Sequence, residues 1–221
     1  MKKPLVIFGT SDIALMAHAY FSADSDHEVV AFTVDGAYLA ETELCGLPVV
    51  PFETVSSVYP PEDHAMFVAV GYAKLNALRR QKYEAAKAIG YELTSYISPR
   101  ASVLNGGQIG ENCFIFEDNT IQPYSRIGNN VVMWSGNHIG HHSIIGSHTF
   151  IASHVVVSGG VEIGESCFIG VNATLRDRIK IGDRCVIGAG ALILSDAAPE
   201  GIYMERETER SKVPSTKLRR I

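Results

Sequence analysis

Starting at Ile97 and stepping by six, the chain puts Ile97, Val103, Ile109, Ile115, Ile121, Ile127, Met133, Ile139, Ile145, Ile151, Val157, Ile163, Ile169, Leu175, Ile181, Ile187 and Ile193 in one register. All seventeen are aliphatic or Met, and a glycine follows eight of them, from Gly110 to Gly188. The residue four positions on is usually small or β-branched, as at Ala101, Cys113, Ser125, Val131, Cys167, Ala173 and Cys185. Neither a helix nor an alternating strand keeps a period of six over about a hundred residues. Short flat strands joined by tight corners do, with three hexads closing one triangular coil. The pattern predicts a left-handed parallel β-helix over residues 97–195. Its aliphatic column faces inward, and each coil covers the sheet edges of the next.

Residues 1–96 have another texture. Leu5–Phe8, His27–Val34, Leu47–Pro51 and Ala65–Val70 read as strands. Ile13–Phe21 and Lys74–Ile89 read as helices, the second capped by Gly90. Alternation of this kind predicts an α/β domain with a small parallel sheet. Ligands of such sheets sit beyond the carboxyl ends of the strands, here Gly9–Asp12, Asp35–Gly36 and Gly71. Three regions follow: a βαβ domain over 1–96, the β-helix over 97–195, and a charged tail over 196–221.

Charge and composition narrow the function. The 221 residues carry 19 Lys+Arg against 24 Asp+Glu, a net charge of −5, and 46% are hydrophobic. That suffices for a core and argues against a chain held to nucleic acid by bulk electrostatics. The apolar run Leu5–Phe8 stops at Gly9, too short for a signal segment, and no stretch predicts a membrane span. Four cysteines are too few for a disulfide scaffold of this size, and Cys113, Cys167 and Cys185 share one interior phase. A cytoplasmic protein is expected.

Five of the eight histidines fall between 138 and 154. His142, His148 and His154 recur every six residues, so they lie on three different sides of a coil and point apart. No metal site is expected from them; His148 and His154 read as core or surface residues. His141 follows a corner glycine, where a side chain can project. One coil later stands Gly159, in Ser158-Gly159-Gly160, which leaves space beside an imidazole and offers an N–H to an oxyanion. That pairing suits acyl transfer to an amine or hydroxyl.

A small βαβ domain followed by a hexapeptide β-helix with a histidine at this point resembles one bacterial family of sugar acyltransferases. It includes sialic acid O-acetyltransferases and nucleotide-linked amino-sugar N-acetyltransferases. The resemblance implies that acetyl-CoA is the acyl donor, with no metal, and that a nucleotide-linked deoxyamino sugar accepts the acetyl group. It makes His141 the general base and Gly159 the residue whose N–H faces the acetyl oxygen, and it lines the coenzyme groove with Gly159, Val171 and Ala189. It gives the sugar-nucleotide contacts to Ser11, Asp12, Ile13, Asp35, Gly36 and Gly71. A homotrimer serving surface-polysaccharide synthesis is also implied. The alternatives are a sugar O-acetyltransferase and a non-catalytic sugar-nucleotide-binding trimer. In the family an acidic residue usually follows the base; here His142 takes that catalytic-site position.

Overall fold

The computed structural model describes residues 2–205 and 214–217. Its first domain runs β1 (Lys3–Phe8), α1 (Asp12–Asp24), β2 (His27–Val34), β3 (Glu43–Leu44), β4 (Leu47–Pro51), α2 (Val55–Val58), β5 (Ala65–Val68), α3 (Ala77–Ile89) and β6 (Glu92–Leu93). The sheet order is β3-β4-β2-β1-β5-β6, with only the β3–β4 pair antiparallel. Leu5, Val6 and Ile7 are fully buried, as the middle strand of a two-sided sheet requires. The second long helix starts three residues later than its composition suggests. Lys74, Leu75 and Asn76 all have positive φ (52°, 52° and 65°), a left-handed turn that costs on the order of 1–2 kcal/mol per residue. Buried contacts of Asn76, described below, hold that turn in place.

From Tyr96 onward the chain winds as the hexad pattern predicts. Two-residue strands recur every six residues and pair in parallel with those 18 positions away, as Tyr96 with Phe114 and Ser102 with Thr120. Three sheets result, one per side of the prism. The second residue of each strand points inward, and from Ile115 to Ile193 this column is buried. Cys113, Cys167 and Cys185 fill the interior beside it, and burial pushes the Cys113 thiol up to about 11 and the Cys167 thiol up to about 12. The coil runs on past 195. Ala197 bridges Ile181, and Ile202–Tyr203 pairs with Val186–Ile187, so this last coil closes in 16 residues by register (Val186 to Ile202). The next hexad position would fall on Pro199, which has no N–H to donate to a rung. Of the tail expected over 196–221, residues 206–213 and 218–221, including most of the terminal basic cluster, lie outside the described residues.

The outward residues differ from side to side. One side carries Tyr96, Phe114, Val132, Phe150 and Phe168 and is covered by the α/β domain. Tyr20 of α1 stacks on Phe116 at 4.8 Å, and Phe21 meets Tyr96 edge-on at 5.4 Å. Trp134, half-buried, packs into the same cluster against Phe116. A second side shows Ser102, Thr120, His138, Val156, Thr174 and Leu192, none of them Asp, Glu, Lys or Arg. The third shows Arg126, Ile144, Glu162 and Lys180, with Lys180 Nζ 3.1 Å from Glu162. These are called below the aromatic, neutral and charged sides.

Candidate active site

Every corner from Gly106 to Gly190 turns on a residue with positive φ, and His142 (60°), His148 (64°) and His154 (58°) are three of these. Asn, Asp and His tolerate that conformation better than most residues, which explains the six-residue recurrence of histidine without a ligand. Among the described residues no group of three His, Cys, Asp or Glu could hold a metal. His148 is buried. Its Nδ1 accepts from Asn130 Nδ2 at 2.9 Å, and Asn130 Oδ1 accepts from Asn112 Nδ2 at 2.8 Å. Burial first, then the nearby Arg80 and Arg79, lowers His148 to about 4. His154 is exposed.

That ladder occupies the corner between the charged and aromatic sides, and the first domain closes it from outside. Arg79 of α3, 1% exposed, donates to the carbonyls of His148 (2.7 Å) and Gly71 (3.0 Å) and to Asn76 Oδ1 (3.0 Å). Burial lowers its guanidinium to about 9, which leaves it charged at neutral pH. Three backbone donors of this corner are met by side chains: the N–H groups of Glu111, Asn129 and Glu165 reach Asn129 Oδ1, Ser147 Oγ and Asp183 Oδ1 one coil later, at 2.8–3.1 Å.

The corner between the neutral and charged sides is built differently. The column runs Pro123, His141, Gly159, Asp177. Pro123 has no N–H, and that of His141 is taken by Gln122 Oε1 at 2.9 Å. The N–H of Gly159 has no acceptor among the described residues. A Cβ placed on Gly159 would lie 2.7 Å from His141 Cε1 and Nε2, so the imidazole edge rests on the bare glycine. His141 and His142 are exposed, with their Nδ1 atoms 3.0 Å apart. The His142 ring leans on Tyr124 at 4.8 Å and borders a cleft of about 550 Å³ with Leu104, Gln108 and Arg126. An imidazole and a backbone N–H without an acceptor among the described residues thus share one corner. Gln122 and Tyr124 were missed in the sequence, although a step of 18 back from His141 lands between them.

The other expected site residues lie elsewhere. Val171 and Ala189 are on the corner between the aromatic and neutral sides, one prism side away from His141. A side of six residues spans at most about 20 Å. Ser11, Asp12 and Ile13 open α1, and Ile13 faces Gly71 across the sheet end. Asp35 is held by Lys82 Nζ at 2.5 Å, and the Gly36 N–H donates to Glu53 at 3.0 Å. Beside them a cavity of about 230 Å³ is lined by Thr10, Val34, Tyr38, Glu41, Leu44 and Val49. Of these, Thr10 lies in the Gly9–Asp12 segment that the sequence marks; the other five were not singled out as site residues, because the chain beyond Gly36 carries no motif there. The aromatic side bears this domain, and the His141 corner is the vertex opposite that side.

The sequence profile described as "Bacterial transferase hexapeptide (six repeats)" matches residues 124–159 and 160–195. Residues 124–195 of the prism thus carry the hexapeptide-repeat signature of bacterial transferases. His141 and Gly159 both fall within its first matched segment. No curated protein matches the chain by sequence. Among solved structures, the hexapeptide domain and the α/β domain together resemble the acetyltransferase domain of PglB from Neisseria gonorrhoeae. Identity is 25%, over 92% of this chain and 97% of that one, with a TM-score of 0.82. PerB from Caulobacter crescentus, solved with CoA and GDP-perosamine, is 25% identical over 91% of this chain and 94% of that one, with a TM-score of 0.81. WeeI from Acinetobacter baumannii shares the fold at 20% identity, over 90% and 94% of the two chains, with a TM-score of 0.76. The resemblance to bacterial sugar acetyltransferases with an α/β domain ahead of the β-helix thus extends over nearly the whole chain.

Proposed function

We propose that the protein is an acetyl-CoA-dependent N-acetyltransferase acting on the amino group of a nucleotide-linked deoxyamino sugar, in surface-polysaccharide synthesis. The observation that carries this reading is the His141 imidazole resting on Gly159, whose N–H has no acceptor among the described residues. Acetyl-CoA, when bound, supplies a thioester carbonyl open to attack. The bare Gly159 leaves room for it, and the Gly159 N–H takes up charge developing on the carbonyl oxygen. His141 Nε2 removes the proton from the sugar amine as the N–C bond forms and the C–S bond breaks. The cavity between Thr10, Tyr38 and Val49 holds the nucleotide, with Ser11, Asp12, Ile13, Asp35, Gly36 and Gly71 around the sheet end.

The arrangement of sides supports a site shared between copies in a homotrimer. His141 and Gly159 flank one edge of the neutral side, Val171 and Ala189 the other, and the α/β domain sits across the prism. A second copy packed on the neutral side brings these groups together, and the strand residues that face outward there include no Asp, Glu, Lys or Arg, Arg176 lying at its edge. Four free cysteines, one of them exposed, suit the reducing cytoplasm. Among the described residues no helix is long and apolar enough to cross a membrane.

Thiol release from acetyl-CoA tests the reading, measured against UDP-, dTDP- and GDP-linked amino sugars and against free and CMP-linked sialic acid. Release with an amino sugar, reduced about 10²- to 10⁴-fold in His141→Asn, is the expected result. Release with sialic acids alone moves the reaction to O-acetylation. An unimpaired His141→Asn variant removes His141 from the reaction.

A further inference from the structure

The base His141 is followed by a second imidazole, and the two Nδ1 atoms meet at 3.0 Å. Two ring nitrogens at that distance share one proton: one donates and the other accepts. A base at His141 Nε2 needs its lone pair there, so its own proton sits on Nδ1 and His142 Nδ1 must accept. His142 then carries its proton on Nε2. Its ring is steadied on Tyr124 at 4.8 Å, and it borders the open cleft.

We infer that His142 is a positioning residue that fixes the tautomer and orientation of His141 as a neutral acceptor. The inference rests on His141 being the base. A carboxylate in this place would add a negative charge beside the imidazole; His142 adds none. The pair therefore has a different acid response. A proton entering either ring occupies a nitrogen the neutral arrangement needs free: on His141 it fills Nε2, and on His142 it fills the accepting Nδ1. Acid switches the base off through both residues. The charged or titratable neighbours are Tyr124 and Arg126 in the cleft and, one coil past Gly159 and Gly160, Asp177 and Arg178; Arg178 lies against Gly160.

His142 has a φ of 60°, so Gly, Asn and Asp all fit its backbone and spare the fold. His142→Gly removes the acceptor, His142→Asn restores a neutral acceptor near the Nδ1 position, and His142→Asp supplies a charged one. With the full chain, acetyl-CoA and the amino sugar found active, the Gly variant is expected to lose about 10- to 100-fold in kcat with KM within a factor of about three. The Asn variant recovers most of that loss. The Asp variant stays active, and the acid limb of its kcat/KM profile moves to higher pH, because a carboxylate stabilises a protonated neighbour. A Gly variant with wild-type kcat and pH profile overturns the inference, as does an Asn variant no better than Gly. His141→Asn, run alongside, separates the two levels: if it abolishes activity while His142→Gly is silent, only the role of His142 falls. If His141→Asn is itself active, the reading of the base falls.

Discussion

Two corners of the same prism carry histidines on the same backbone turn, and they have opposite characters. At the charged–aromatic corner His148 is 6% exposed, bonded to Asn130, and roofed by Arg79 and Tyr83. At the neutral–charged corner His141 and His142 are exposed, and the N–H beside them lacks an acceptor. Hexad repetition gives both corners the same scaffold, so the difference lies in what covers each corner and which side chains stand on it. The corner roofed by the α/β domain is a structural joint. The open corner, with a glycine beside an imidazole where the other column carries Asn, Ser or Asp, is the candidate site.

The sharpest way to break that contrast is Gly159→Ala. The added Cβ would stand 2.7 Å from the His141 ring, the far end of a side chain that can swing away. Backbone φ at Gly159 is not positive, so the fold should accept alanine. Activity is expected to drop about 100-fold or more, by thiol release, with Tm unchanged within about 2 °C. A full-rate variant would show that His141 does not need the space.

At the closed corner the effect should be the reverse. Arg79→Met keeps the apolar stem but leaves the carbonyls of His148 and Gly71 and the Asn76 amide oxygen without their donor. Denaturant unfolding should show a loss of about 2–4 kcal/mol, with activity per folded molecule changed far less than by Gly159→Ala. A loss under about 0.5 kcal/mol would mean that water replaces the guanidinium.

The smallest effect depends on pH. Folding holds His148 at about 4, whereas an unfolded imidazole titrates near 6.5. Between these values the unfolded chain binds the extra proton, so stability is complete above about pH 6.5 and is lost as the pH falls towards 4. Over the first unit of that window, from about pH 6.5 to 5.5, the loss is about 1 kcal/mol. His148→Asn suits the positive φ and does not titrate, so its unfolding free energy should fall less than wild type over that window. Equal falls would assign the acid sensitivity to carboxylates.

Much of this was legible in the residues. The hexad register marked the interior of the prism, and the His141–Gly159 step of 18 marked the open corner, because every coil repeats the last. Strands over His27–Val34 and Leu47–Pro51 have the bounds their alternation suggests. Three features had no periodic signal. The start of α3 gave way to a left-handed turn that Asn76 holds by donating to the Cys167 carbonyl at 2.9 Å. The final coil shortened at Pro199. Arg79 reads as one more cation on a helix until its carbonyl partners, 69 residues away at His148, are seen in space.

The α/β domain touches the prism at intervals that match its pitch: Val68 on Asn112, Arg79 on the carbonyls of Asn130 and His148, and Asn76 on Cys167. These are four successive coils. A solenoid ordinarily passes stability only from each repeat to its neighbour, so a fray at one end can travel by single steps. Here one rigid body grips four turns at once, like a splint along a spring. The gripped coils and the α/β domain are expected to unfold together, with amide hydrogen exchange faster in the turns beyond Cys167.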